Sequence, residues 1–256
     1  MLTVLKLGGS VLRDDRSYAA SARFLQQRLA LAPQERLVVI VSAQYGTTDA
    51  LHAEAQIIAD DPCQLALDLL WSTGELRSVA LLALHLQRIG VSAVPFNVHQ
   101  TGLVADREAE TAVRPMRLLA ALAHARIVIV PGFLGVSPGG AVTSLGRGGS
   151  DLTAVLLAAA IRADACELIK DVPGYFTADP HRDAAAQPIH DLGIDEALRM
   201  ADGGCDLVQR AALAAAAHAD LHLVIRSMDA AAPVSHVHSR SSHGVRHQDH
   251  SCRAAV

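Results

Sequence analysis

The segment Ser144-Leu-Gly-Arg-Gly-Gly-Ser-Asp-Leu-Thr153, followed by the apolar run 154–161, is the most informative part of this chain. It places three glycines, Arg147 and Asp151 where a loop turns into an apolar helix. Glycine lets the backbone come close to a ligand, a helix N-terminus offers free N–H groups to an anion, and arginine grips a carboxylate or phosphate with paired hydrogen bonds. The segment therefore predicts a site for an anionic substrate and a phosphate. The alternative is a glycine-rich surface turn, which the helix behind the loop makes less favourable.

The two lysines of the chain point to the same chemistry. Lys6 lies in Val4-Leu-Lys-Leu-Gly-Gly-Ser10, and Lys170 lies in Cys166-Glu-Leu-Ile-Lys-Asp-Val-Pro-Gly174. Each stands at the end of a predicted strand, beside a glycine-rich or aspartate-containing turn. A compact ammonium on a flexible stem suits a moving phosphoryl group. The alternative is that both are ordinary solvent-exposed lysines.

The order of apolar patterns predicts the fold class. Strand-like runs occupy about 2–7, 36–42, 92–95, 127–130, 166–169 and 221–226. Helical patterns occupy about 15–31, a stretch ending near 59, 64–90 with an interruption near Ser72-Thr-Gly-Glu75, 194–200 and 206–218. Strands that alternate with helices predict an α/β fold, here a three-layer αβα sandwich with a mainly parallel central sheet. The polar turns follow strand ends, where open α/β sheets bind ligands.

Composition divides the chain into a domain over residues 1–230 and a tail over residues 231–256. The tail holds five of the 13 histidines, five serines and almost no apolar pattern. These features are typical of a flexible, solvated segment. Metal capture by a histidine-rich tract is the alternative, although the spacing is irregular and no Cys or Asp framework accompanies it.

Bulk properties exclude several classes of function. The formal net charge is -4, which gives no electrostatic footprint for nucleic acid. No apolar run approaches the ~18–20 residues that a membrane span needs, and the N-terminus leads directly into a strand without the features of a signal peptide. The four cysteines are scattered, which fits a reducing compartment. We therefore expect a cytoplasmic protein that contacts neither nucleic acid nor membrane.

The motifs, taken in chain order, resemble the catalytic domain of aspartokinases in the amino-acid kinase superfamily, over about residues 2–228. The matching segments are Lys6-Leu-Gly-Gly-Ser10, Val41-Ser-Ala-Gln-Tyr-Gly-Thr-Thr-Asp49, Ser72-Thr-Gly-Glu75, Pro131-Gly-Phe-Leu-Gly135, residues 144–159 and Lys170-Asp-Val-Pro-Gly-Tyr-Phe-Thr-Ala-Asp-Pro180. No Walker-type P-loop is present in the sequence. The resemblance implies the amino-acid kinase fold and ATP-dependent phosphorylation of a carboxylate, in the type case the β-carboxylate of aspartate. It also implies a role in amino-acid biosynthesis.

The resemblance also implies roles for individual residues. Lys6 would balance charge on the transferring phosphoryl group, and Asp151 would orient the substrate amine or the arginine. Substrate binding would fall to Ser42, Thr48, Glu75 and Arg147. The nucleotide would be held by Gly8, Gly9, Ser10, Lys170, Asp171, Phe176, Asp179 and Arg182. No residue is assigned to a metal, and Mg²⁺ is expected to accompany ATP.

Departures from the family pattern keep alternatives open. Asp206 stands where many members carry a lysine that reaches the nucleotide phosphates, and Arg210 is the candidate to compensate. The chain ends where the regulatory ACT domains of most aspartokinases begin, so we expect a stand-alone catalytic domain, forming a homodimer. The first alternative is a kinase of the same fold that acts on a different small acid. The second is a ligand-binding homologue that has lost catalysis.

Overall fold

Alternating strands and helices make up most of this computed structural model, which describes residues 1–105, 111–146, 148–180, 182–183 and 185–239. The strands are β1 (Leu2–Leu7), β2 (Arg36–Val41), β3 (Val94–Pro95), β4 (Leu103–Val104), β5 (Ala112–Val113), β6 (Ile127–Pro131), β7 (Leu134–Val136), β8 (Val142–Ser144), β9 (Ala165–Ile169), β10 (Tyr175–Phe176), β11 (Pro188–Ile189), β12 (Asp191–Gly193), β13 (Leu223–Arg226) and β14 (Ser235–His238). The helices are α1 (Asp15–Leu31), α2 (Thr47–Ile58), α3 (Gln64–Arg88), α4 (Met116–His124), α5 (Gly149–Ala160), α6 (Ile194–Asp202) and α7 (Arg210–His218), with a 3₁₀ turn at Val98–Gln100.

The central sheet is mainly parallel. Within the described residues it has eight strands in the order β12-β14-β13-β9-β1-β2-β6-β3, and the pair β13–β14 is the antiparallel one. Strand β1 lies between β2 and β9, with Lys6 opposite Ile40 on one side and Leu168 on the other. The strands β1, β2 and β9 therefore end at the same edge of the sheet, and their turns meet there.

Helices cover both faces of the sheet because the buried strands are apolar on both sides. Val4 of β1 packs in the cluster that contains α5, α6 and α7, whereas Leu5 and Leu7 pack in the cluster that contains α1 and α3. Lys6 shares the face of Val4, since side chains alternate along a strand. The predicted three-layer αβα sandwich is confirmed, and the same alternation directs Lys6 toward α5.

The predicted interruption of the third helix is wrong. Helix α3 runs unbroken through Ser72, Thr73 and Gly74. The hydroxyls of Ser72 and Thr73 donate to the carbonyls of Leu69 and Leu70 at 2.6 and 2.7 Å, so both polar side chains are satisfied inside the helix. In the described part of the chain, no helix is long and apolar enough to cross a membrane.

The predicted tail boundary at residue 231 is also wrong for the segment Ser235–His238, which forms strand β14 between β12 and β13. Val237 is fully buried opposite Leu223. The pattern was missed because Val237 is the only apolar residue of this strand, and both of its partner strands are short. Residues 240–256, which hold the remaining three histidines of the predicted tail, lie outside the described residues.

We expect that ending the chain after residue 230 lowers the melting temperature by about 5 °C or more. The deletion removes β14 and the buried Val237 side chain, and burial of a valine alone contributes about 1.5–3 kcal/mol. The matched control is a chain that ends after Ser239, which keeps β14 and should melt within about 2 °C of the full chain. Equal melting temperatures for the two truncations would contradict a structural role for β14.

Candidate active site

A cavity of about 1180 Å³ opens at the edge of the sheet where β1, β2 and β9 end. Seven of the residues predicted from the sequence line it together: Lys6, Gly9, Ser42, Thr48, Glu75, Asp151 and Lys170. They come from three strand ends and from α2, α3 and α5. Arg147 lies outside the described residues, although its neighbours Gly146 and Gly148 line the cavity.

Two helices begin at the cavity wall. Helix α2 follows Gly46 at φ 76° and α5 follows Gly148 at φ 72°, and no described side chain caps either N-terminus. Glycine is suited to both positions because other residues resist a positive φ. Free N–H groups and the positive end of the helix dipole favour an anion at each terminus. The glycine-rich loop therefore forms the predicted loop-to-helix junction, and α2 supplies a second one across the cavity.

A buried group of three charges forms one wall of the cavity. The Asp151 carboxylate lies 2.8 Å from the Lys6 ammonium through Oδ1 and 2.8 Å from the Lys170 ammonium through Oδ2. Burial by itself would raise the pKa of Asp151, but the charges of Lys170 and Lys6 outweigh it and hold the pKa well below its usual range. Burial lowers the pKa of Lys170, and the attraction of Asp151 offsets part of that effect.

The Glu75 carboxyl presents the opposite electrostatic case. Its side chain is 3% exposed, and Oε2 has no hydrogen-bond partner among the described residues. Burial raises the pKa of Glu75 to about 8, although a hydrogen bond with the Ala43 backbone and the charge of Lys6 both act to lower it. At neutral pH the carboxyl is therefore mostly protonated in this structure. A ligand ammonium beside it would favour the ionised form.

Sequence reasoning missed an aromatic wall on the same cavity. His52, Trp71 and Phe133 line it, with ring centroids 5.9 Å apart for His52–Trp71 and for Trp71–Phe133. His52 lies one turn beyond Thr48 on α2, and Trp71 lies one turn before Glu75 on α3. The i, i+4 spacing from the two predicted substrate residues is the signal that would have found them.

The residues predicted to bind nucleotide fall into two groups. Gly9 and Lys170 line the cavity, and Gly8 adjoins Lys6 in the turn after β1. Outside the lining, the Ser10 hydroxyl donates to Asp171 at 2.9 Å, which joins the turns that follow β1 and β9.

The hairpin β10–β11 carries the remaining nucleotide predictions. Phe176 is in β10, paired with Pro188 of β11. Asp179 is buried and lies 3.4 Å from Arg182, whose side chain is largely exposed. None of these three residues lines the cavity as described.

Asp206 lines the cavity together with Gln209, near the N-terminus of α5. The carboxylate thus occupies the place where the resemblance implies a lysine. Arg210 does not compensate in this structure, because its guanidinium lies 2.6 Å from Asp202 and does not line the cavity.

Comparison with known proteins agrees with the architecture. The model described as "Amino acid kinase family" matches residues 1–227. The chain therefore belongs to the amino acid kinase family, and the family resemblance predicted from the motifs is confirmed.

Several relatives are named aspartokinases or aspartate kinases. An aspartokinase of Thermus thermophilus is 38% identical over 231 residues, which cover 88% of this chain and 56% of that protein. The crystal structure of an aspartate kinase from Synechocystis superposes with a TM-score of 0.83 at 34% identity, covering 96% of this chain and 41% of that one. Aspartokinase III of E. coli, in complex with aspartate and ADP, gives a TM-score of 0.78 at 25% identity, over 95% of this chain and 66% of that one. The chain thus spans about half the length of the curated relative.

We expect Glu75→Gln to stabilise the ligand-free protein by an amount that grows between about pH 5 and pH 8 and then levels off. The folded state keeps the Glu75 proton up to about pH 8, whereas the unfolded chain loses it near pH 4.5. The folded state therefore binds more protons in this range, and its stability falls as the pH rises. Melting temperatures of both proteins across this range give the measurement. A constant difference would show that Glu75 has an ordinary pKa.

Proposed function

We propose that this chain transfers a phosphoryl group from ATP to a carboxylate of a small amino acid, with L-aspartate the first candidate and 4-phospho-L-aspartate the product. The observation that carries the proposal is the joining of Lys6, Asp151 and Lys170 at 2.8 Å beside a cavity onto which two uncapped helix N-termini open. Such a site concentrates positive charge where the substrate carboxylate and the phosphates of ATP would meet. The names of the relatives support aspartate as substrate, and the ADP and aspartate bound to aspartokinase III support ATP as donor.

The proposed reaction needs positioning and charge balance more than proton transfer. A carboxylate is already ionised at neutral pH, so it attacks phosphorus without a general base. Lys6 and Lys170 would balance the charge of the transferring phosphoryl group and of the nucleotide phosphates. Asp151 would hold the two ammonium groups in place. This role replaces the predicted one of orienting the substrate amine or the arginine, because both carboxylate oxygens already contact lysines.

Substrate recognition would use complementary charges around the cavity. The Glu75 carboxyl would ionise against the α-ammonium of the substrate and lose its proton as the amino acid binds. Ser42 and Thr48 would donate hydroxyl hydrogen bonds to a substrate carboxylate, with the N-terminus of α2 behind Thr48. Arg147 stays a predicted carboxylate ligand.

A ligand-binding homologue without catalysis is the second candidate, and Asp206 favours it. A carboxylate in the cavity wall repels nucleotide phosphates, and Arg210 is engaged with Asp202. A kinase of the same fold that acts on another small acid is a further candidate, since His52 and Trp71 add aromatic surface to the cavity wall beside the predicted substrate residues. Use of Mg²⁺, a homodimer and a cytoplasmic location stay predictions.

Incubation with ATP, Mg²⁺, L-aspartate and hydroxylamine should yield an aspartyl hydroxamate, because hydroxylamine traps an acyl phosphate. Succinate, which lacks the ammonium, is the matched control. It should react far less well, since no positive charge of the substrate would then lie beside the Glu75 carboxyl. Hydroxamate from another amino acid but not from aspartate would support the same-fold alternative. ATP binding without hydroxamate from any acid would support the non-catalytic candidate.

Lys6→Ala should lower kcat by about 100-fold, the scale of losing one preorganised charge contact in the transition state. The fold should persist, because Lys170 still pairs with Asp151. Steady-state kinetics give the rate, and the melting temperature and the affinity for ATP serve as controls for folding and binding. Turnover near that of the unchanged protein would remove Lys6 from the reaction.

A further inference from the structure

Strand β14, which lies beyond the residues matched by the family model, contacts the hairpin β10–β11 through Ser235. The Ser235 side chain is 1% exposed. Its Oγ accepts a hydrogen bond from the Tyr175 backbone N–H at 2.8 Å and donates one to the Ile189 carbonyl at 2.5 Å. One hydroxyl therefore uses its donor and an acceptor position on the two strands of the hairpin.

The two groups that Ser235 contacts belong to residues that face each other. Tyr175 pairs with Ile189 in the antiparallel register, so the hydroxyl bridges the hairpin at a matched pair. Gly174, one residue earlier, has φ +155°, and a Cβ there would collide with Ser235 Oγ. The close approach requires glycine, which shows how tightly the start of the hairpin rests on β14.

The contact fixes the hairpin to the central sheet. The His236 N–H, next to Ser235, donates to the His190 carbonyl at 2.7 Å, and β14 itself pairs with β12 and β13. The hairpin in turn carries Phe176, and the chain that leads into it begins at Lys170 and Asp171. Ser235 thus sits behind the segment that the motifs assign to the nucleotide.

We propose that Ser235 is a positioning residue for the nucleotide. It holds the hairpin β10–β11 in the position in which Phe176 and its neighbours contact ATP. The inference rests on the proposed function, because the ligand of the hairpin is ATP only if the chain is a kinase. Ser235 contacts backbone groups of the hairpin and acts through them. Its loss should therefore affect nucleotide affinity and leave the chemical step intact.

Ser235→Ala tests the proposal, with Val237→Ala as the matched control. Both residues are buried on the same face of β14, but Val237 packs in the apolar core. Ser235→Ala should raise the KM and Kd for ATP about threefold to tenfold, the effect of losing a buried hydrogen bond, with kcat and the KM for the acid within about twofold. Val237→Ala should lower the melting temperature by at least as much and leave the KM for ATP unchanged.

Gly174→Ala is the second variant, since it displaces the hairpin from Ser235 while keeping the hydroxyl. It should raise the KM for ATP in the same way as Ser235→Ala. It also keeps the test available if Ser235→Ala fails to fold. Unchanged ATP affinity in folded Ser235→Ala and Gly174→Ala proteins would overturn this inference alone. Equal losses of ATP affinity in the serine and valine variants would also overturn it, by showing a general stability effect. A wild-type chain that binds no ATP would overturn the proposed function and this inference together.

Discussion

The site depends on a single ion cluster, in which Asp151 is shared between Lys6 and Lys170 at 2.8 Å each. Three buried charges are tolerable only when each is paired, because an isolated one would cost several kcal/mol. The cluster exists because β1 and β9 are neighbours, so that both lysines emerge at one edge of the sheet, and because the first turn of α5 delivers the carboxylate between them. The order of the strands and the position of α5 therefore together determine where the three charges lie.

Local pattern was sufficient for the strands that build the middle of the sheet, since 127–130 is apolar throughout and 2–7 is apolar apart from Thr3 and Lys6. It was also sufficient to expect Lys6 and Lys170 at the ends of strands; the two strands are neighbours, and both lysines line the cavity. Pattern was insufficient for β14, whose four residues gain their conformation from strands on either side. It was misleading at Ser72-Thr-Gly-Glu75, where hydroxyl bonds to the preceding helical turn keep α3 continuous. The partners of Asp151 are set by tertiary contact, which a single sequence does not encode locally.

Two carboxyls on one cavity are held in opposite states by their surroundings. Asp151 meets two ammonium groups and stays ionised, whereas Glu75 meets a backbone amide and a low-dielectric wall, so its pKa rises to about 8. The first carboxyl is paired with two ammonium groups of the protein itself. The second forms no ion pair among the described residues, and a cationic group of a ligand would supply one. Under the proposed function, Asp151 would hold the site together, whereas Glu75 would select the ligand.

Trp71 gives the cavity a property of practical use. It is the only tryptophan in the chain, and its ring lies against Phe133 and His52 at the wall. The indole fluorescence of the whole protein therefore originates beside Glu75, one helical turn away on α3. The emission spectrum therefore reports on the surroundings of that wall. It responds to a ligand that fills the cavity, whether or not a reaction takes place.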